Sequence, residues 1–178
     1  FDRIWGRNGV SGMKRRYFLV SAVAAGACST KPRASLRVLT EPEALTLNAW
    51  LDCLIPADDL PGAVDAGVIH FIDRQLTRRY RKMQPDYRAA FRLVENLAAE
   101  SEAQSFASLP FEKRTALLER VEKQQPRLFN LVLDHCMQGF YGSPRHGGNK
   151  DYASWRMLGV PPAPIRGRQH YTATGDQG

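Results

Sequence analysis

Thr40-Glu41-Pro42-Glu43-Ala44-Leu45-Thr46-Leu47-Asn48-Ala49-Trp50-Leu51-Asp52-Cys53-Leu54-Ile55 decides the fold class. Its first four residues make a capping box. The Thr40 hydroxyl can accept the backbone N–H three residues on, and the Glu43 carboxylate can accept the N–H of Thr40 in return. Proline is tolerated in that first turn because its missing N–H has no partner there anyway. Behind the box, Leu47, Trp50, Leu51, Leu54 and Ile55 fall at i, i+3, i+4, i+7 and i+8, one face of a helix. Pro56 ends the run, and Asp58-Asp59-Leu60-Pro61-Gly62 reads as a turn-rich loop.

Downstream the same period returns four times. Val68, Phe71, Ile72, Leu76 and Tyr80 share a face of a second helix that runs into the basic stretch Arg78–Lys82. A third helix starts near Pro85 and carries Tyr87, Phe91, Val94 and Ala98. Ser108-Leu109-Pro110 is the expected cap of a fourth, with Leu117, Leu118 and Val121 inward. Pro126 opens a fifth, with Phe129, Val132, Leu133, Cys136 and Phe140 on one side. No stretch alternates at period two long enough for a strand, and no internal repeat is visible. The expectation is an all-α domain over residues 29–165, a compact bundle of about five helices.

After Phe140 the character changes. Tyr141-Gly142-Ser143-Pro144-Arg145-His146-Gly147-Gly148-Asn149-Lys150-Asp151 cannot continue a helix and calls for a loop with positive-φ positions. Pro161, Pro162 and Pro164 then stiffen an arm, and residues 166–178 read as a flexible tail.

Upstream, Met13-Lys14-Arg15-Arg16 precedes an apolar run from Tyr17 to Ala27, broken only by Ser21 and followed by Cys28. A basic start, an eleven-residue apolar stretch and a small-residue zone make an export leader over residues 1–28, with Met13 the expected start and 1–12 either an upstream extension or a truncation artefact. The run is shorter than the roughly 20 residues that span a bilayer. Arg15-Arg16-Tyr17-Phe18-Leu19 resembles the twin-arginine signal, with Arg15, Arg16, Phe18 and Leu19 on its positions. That pathway exports folded proteins, so a periplasmic location is expected. Ala25-Gly26-Ala27-Cys28 is also a poor lipobox, and a lipid on Cys28 would be a membrane anchor.

At 178 residues, 43% hydrophobic and 24% charged, the chain suits one folded domain. The formal charge is +7, but residues 1–28 carry five basic residues against Asp2 alone. The rest nets only +3, too little for a nucleic-acid footprint, and no nucleic-acid partner is expected. The densest basic run, Arg74 to Arg92, is either a solvated helix face or a patch for an acidic partner or anionic headgroups. Cys53 and Cys136 either pair, closing a loop worth roughly 4 kcal/mol, or stand as two buried thiols; spacing does not decide.

Catalytic and cofactor motifs do not come forward. Cys-x-x-Cys-His, Gly-x-Gly-x-x-Gly after a strand and Gly-x-Ser-x-Gly are absent, and the cysteines past the leader are too few for an iron–sulfur cluster. His70, with Asp73 one turn on, reads as a hydrogen-bonded structural histidine. His135, His146 and His170 lie on scattered elements with no metal-ligand spacing. Asp58, Asp59 and Asp65 lack the twelve-residue calcium pattern. No catalytic, cofactor or metal residue is assigned.

Two segments resemble the gluconate 2-dehydrogenase subunit 3 family. One is Leu54-Ile55-Pro56-Ala57-Asp58-Asp59 with Pro61-Gly62-Ala63-Val64-Asp65-Ala66-Gly67-Val68, continued as Phe71-Ile72-Asp73. The other, more specific, is Gly139-Phe140-Tyr141-Gly142-Ser143-Pro144-Arg145-His146-Gly147-Gly148-Asn149-Lys150-Asp151 with Trp155-Arg156-Met157-Leu158-Gly159-Val160-Pro161. Gly142-Ser143 and His146 depart from the family's pattern, which has Ser-Asp or Gly-Asp and a tyrosine there. The resemblance implies a non-catalytic small subunit without its own cofactor. Its partner would be a large FAD subunit of the glucose–methanol–choline oxidoreductase type, often with a multi-haem cytochrome c that passes electrons toward quinone. Sugars, sugar acids or alcohols would be oxidised in the periplasm, and membrane association would come through the complex or through Cys28. The alternative is a stand-alone periplasmic helical binding module.

Within the second segment two roles compete. Gly147, Gly148 and Trp155 can build a loop that caps the fifth helix, with Trp155 filling the core behind it. The same stretch can present Phe140, Tyr141, Arg145, Asn149, Asp151, Trp155 and Arg156 to the partner, a mix of aromatics and arginine suited to an obligate interface.

Overall fold

The computed structural model describes residues 36–160. Arg15, Arg16, Phe18 and Leu19 of the expected leader, Cys28, Pro161, Pro162 and Pro164, and the expected tail at 166–178 lie outside the described residues.

Among the described residues the chain is all-α: six helices and no strand. They are α1 (Glu41–Leu54), α2 (Val68–Leu76), α3 (Gln84–Ala99), α4 (Phe111–Gln124), α5 (Pro126–Tyr141) and a short α6 (Ala153–Met157). The first five are the helices expected from periodicity, and α6 is an addition. The capping box of α1 forms on Thr40 and Glu43 as read, with Pro42 in the first turn. No described helix is long and apolar enough to cross a membrane.

Two boundaries differ from expectation. Helix α2 stops at Leu76 because the Thr77 hydroxyl donates back to the Arg74 carbonyl and the Gln84 amide caps the Leu76 carbonyl. Tyr80 still reaches the core, from the turn that leads through a 3₁₀ segment (Arg81–Met83) into α3. Before α4, Ser108 does not cap the helix. It closes a capping box with Ser105 around a 3₁₀ turn, Phe106–Ser108, whose phenylalanine plugs the core, and Pro110 takes the N-cap place.

Trp50 sits at the centre, fully buried, with its ring 6.4 Å from both Phe106 and Phe129. Burying such aromatics is worth several kcal/mol in all, at about 25 cal/mol per Å² of apolar surface. Helices α4 and α5 meet through Gln125 alone, which closes one and opens the other. A one-residue joint keeps the pair adjacent. At the front of the domain, Asp73 on α2 is buried, and its carboxylate accepts the amides of Arg37, Val38 and Leu39 at 2.7, 2.9 and 3.1 Å. A buried carboxylate held by three N–H donors fixes where the chain enters α1. Asp73 therefore serves this entry clamp, not the histidine partnership expected for it with His70.

Cys53 and Cys136 are free thiols in the structure, not a disulfide. Cys53 is half-buried beside Thr115 of α4, while Cys136 is sealed in the core, where desolvation pushes its thiol up to about 12. Of the two readings left open, the structure holds the pair of thiols.

Candidate functional site

The last turn of α5 leaves carbonyls with no partner inside the helix, as every helix end does. Three side chains, one from the following loop and two from α6, take three successive carbonyls at this end, those of Phe140, Tyr141 and the C-cap Gly142. Ser154 Oγ donates to the Phe140 carbonyl at 2.6 Å, Trp155 Nε1 to Tyr141 at 2.8 Å and Asn149 Nδ2 to Gly142 at 2.9 Å. Asn149 also accepts the amide of Ser154 through Oδ1 at 2.9 Å, so one buried asparagine joins the end of α5 to the start of α6. The result is a clasp: the chain leaves α5, turns back and closes over its end.

The glycines make that return possible. A Cβ on Gly148 would stand 2.2 Å from the Gly139 carbonyl oxygen, so only glycine lets the loop lie flush on α5. Gly147 has φ +110 and passes the His70 carbonyl, a conformation that L side chains rarely take. Asn149, Asp151 and Tyr152 are also left-handed, at φ 47, 54 and 59. Asparagine and aspartate tolerate this, but a tyrosine does not do so easily, and strain of this kind clusters where the surroundings over-determine the backbone. Two further bonds anchor the clasp to α2 and its approach: Lys150 N to Ala66 O at 2.9 Å, and Arg74 Nη1 to Arg145 O at 2.8 Å.

This geometry sorts the candidate contact residues. Phe140 and Asn149 are fully buried and cannot themselves touch a partner; both belong to the interior of the clasp. Tyr141, Arg145, Asp151 and Arg156 are exposed. Trp155 does not fill the core. It lies half-buried over the clasp, 5.5 Å from the Tyr152 ring, because its indole N–H must reach the Tyr141 carbonyl. Met137, Leu158 and Val160 extend the exposed apolar surface around these residues. Sequence reasoning missed Ser154, whose hydroxyl is wholly buried. No cue in the linear pattern marks it, because the Phe140 carbonyl and Asn149 Oδ1 that it meets come to it only as the chain turns back.

The histidines separate. His135 is buried, bonded to the Tyr87 hydroxyl through Nδ1 at 3.0 Å and stacked on Tyr80, ring centroids 3.8 Å apart. Burial pushes its imidazole below the usual value and drives the Tyr87 phenol well above its own. Tyr80 in turn donates to Gln138. His146 is exposed and accepts from Arg145 Nε at 3.1 Å, His70 is half-buried, and His170 lies outside the described residues. Among the described residues, no three His, Cys, Asp or Glu side chains gather as metal ligands would. The basic stretch is mostly exposed: Arg74 is spent on the clasp, Arg88 approaches Glu43 at 3.6 Å, and Arg78, Arg79, Arg81, Lys82 and Arg92 face solvent.

The family model for gluconate 2-dehydrogenase subunit 3 matches residues 41–162. No curated protein and no solved structure matches the chain. The matched span runs from the first residue of α1 past the end of α6 and contains the whole clasp. On a match of that extent the chain belongs to the gluconate 2-dehydrogenase subunit 3 family, named for one subunit of a dehydrogenase complex.

Proposed function

We propose that the chain is a non-catalytic accessory subunit of a periplasmic, membrane-associated flavin-dependent dehydrogenase that oxidises sugars, sugar acids or alcohols. FAD sits in a large partner of the glucose–methanol–choline type, and haem c sits in a cytochrome subunit where one is present. The twin-arginine leader carries this chain, and with it the folded flavin subunit, out of the cytoplasm. Membrane attachment comes through the complex or through a lipid on Cys28.

One observation carries the reading. The polar groups of Asn149, Ser154 and Trp155 are spent on the backbone of the chain itself, whereas Met137, Tyr141, Arg145, Arg156, Leu158 and Val160 stand exposed around them, with His146, Lys150 and Asp151 on the same stretch. That division suits contact: apolar and arginine anchors outside, a rigid satisfied frame beneath. The flavin subunit docks on Tyr141, Arg145, Trp155 and Arg156, with Met137, Leu158 and Val160 around them.

Truncation after Gly159 tests the assignment. Co-purification of the flavin subunit should fall or vanish while circular dichroism of the helices is unchanged. Continued binding by the truncated chain, with release on charge reversal at Arg78 and Arg79, would move the interface to the basic stretch. A flavin or haem spectrum from the isolated chain would sink the accessory reading altogether. Export has its own test: Arg15→Lys with Arg16→Lys should hold both subunits in the cytoplasm, because the receptor reads guanidinium pairs and lysine keeps only charge.

A further inference from the structure

The exposed large apolar side chains fall into two groups. Met137, Tyr141, Leu158 and Val160 lie about the clasp. Leu45, Leu60, Val64 and Phe111, exposed by 52, 46, 41 and 38%, belong to α1, the loop after it and the start of α4, and the interface above leaves them uncovered. Grouped apolar exposure of this kind marks a contact surface.

Of these side chains Leu45 and Val64 line a groove along one face of α1, and Phe111 lies against Arg114 at its wall. At one end a cavity of about 360 Å³ is bounded by Asn48, Asp52, Val64, Asp65 and Arg114. It shares Leu45 and Ala107 with a second hollow of about 580 Å³ that continues past Thr46 to Arg88 and Arg92. From Glu41 to Asp52 a helix rises about 16 Å, the span of roughly five residues of extended chain.

Charge selects what enters. Residues 41–73 hold seven carboxylates and no lysine or arginine. Asp73 is consumed by its three amides, Glu43 by the cap of α1 and Asp52 by Arg114 at 2.9 Å. Asp65 remains exposed at the cavity mouth, its only described bond a 3.2 Å acceptance from Gly62 N. Deeper in, Asn48 Oδ1 is buried without a donor. An acceptor of that kind costs free energy unless an incoming N–H meets it. The Arg114 guanidinium forms one wall, pairs with Asp52 through Nη2 and lies 5.7 Å from the centre of the Phe111 ring; its Nε is buried without an acceptor, a place for a backbone carbonyl of the entering segment.

We infer that this groove is a second docking surface, distinct from the clasp, which takes an extended segment of a partner protein bearing an arginine flanked by apolar residues. The guanidinium enters the cavity, where Asp65 balances its charge and Asn48 Oδ1 accepts one of its N–H groups. The flanking side chains lie on Leu45, Val64 and Phe111. The inference does not depend on the identity of the partner proposed above.

The test uses the full chain and two synthetic probes, acetyl-Leu-Arg-Leu-Ala-Leu-amide and the same peptide with citrulline in place of arginine. Citrulline keeps the shape and most N–H donors but removes the charge. Amide and side-chain NMR shifts should move at Leu45, Asn48, Val64 and Ala107 with the arginine probe, and the citrulline probe should bind about tenfold more weakly, the scale of one charge-assisted hydrogen bond. Val64→Arg, on an exposed loop position, should block the cavity mouth and abolish these shifts while circular dichroism stays unchanged. Asp65→Asn should bring the two peptides to equal affinity. The inference is overturned if neither probe shifts those resonances at millimolar concentration, or if both bind equally to the unaltered chain. Self-association in sedimentation experiments that Val64→Arg abolishes would assign the groove to a second copy instead, and would also overturn it.

Discussion

Asn149→Ala isolates what holds the clasp. The substitution removes two hydrogen bonds, each 2.9 Å long, and leaves the Ser154 amide buried without an acceptor. At about 1 kcal/mol for each bond, with roughly 1 kcal/mol more for placing alanine at a left-handed φ, the local cost is about 3 kcal/mol. Because α6 and the loop meet the rest of the domain mainly through this clasp, the cost falls on local opening and not on the five-helix core. Opening should become roughly a hundredfold more frequent, since each 1.36 kcal/mol is a decade. The reporters are the amides of Leu158 and Val160, which bond to Ser154 O at 3.0 Å and Trp155 O at 2.7 Å. Their hydrogen exchange should accelerate by that factor while exchange in α1 and α3 is unchanged. Asn149→Asp keeps the acceptor and the tolerance for positive φ but sets a buried carboxylate oxygen against the Gly142 carbonyl, so at neutral pH it should disturb the clasp at least as much as alanine does. If Leu158 and Val160 exchange less than about threefold faster in the alanine variant, the clasp is held by something else and the reasoning fails. Co-purification then links structure to function. Asn149 is buried, so weaker capture of the flavin subunit could arise only through the disordered loop, whereas faster exchange with undiminished capture would remove the clasp from the interface.

Other consequences follow from the same geometry. Asp73→Ala should cost about 2–4 kcal/mol in urea unfolding, with Asp73→Asn intermediate, because an amide oxygen can keep Val38 and Leu39 but its NH₂ faces the Arg37 N–H. Gly148→Ala should impair folding outright, its Cβ lying 2.2 Å from a backbone oxygen. Gly159→Ala, with nothing within 4 Å but φ +67, should cost only about 1 kcal/mol, and thermal melts separate the two. Burial holds the His135 imidazole below its ordinary pKa, so around and below pH 6.5 the unfolded chain binds the proton more readily than the folded one. Stability from this group is therefore complete above about pH 6.5 and is lost as pH falls through the folded value, and His135→Gln should flatten the stability profile between about pH 5 and 7. Cys136 should resist alkylation in the native state and react once the chain is unfolded in urea, since its thiol is buried and pushed up to about 12.

The linear order of residues determined the helices because a helix is a local object. The Thr40–Glu43 box, the prolines near the starts of α1, α3 and α5, and the 3.6-residue apolar period each act within one or two turns, so α1 to α5 could be read with no knowledge of packing. The family likeness was legible for a related reason: the Gly147-Gly148-Asn149 run sits in one continuous stretch. What the folded chain alone decided are matters of distance between residues far apart in sequence. Asp73 reads as a companion of His70 one turn away until Arg37, Val38 and Leu39 arrive over it, 34 to 36 positions away. His135 is an unremarkable helix residue until Tyr80 and Tyr87 close on it from α3 and the turn before it. Phe140 and Asn149 have the composition of an interface, and became interior only because the loop folds back onto the carbonyls that α5 cannot satisfy itself. Spacing along the chain encodes which backbone groups a helix can pair internally; which side chains come to meet the leftover ones depends on the return path of the chain in space.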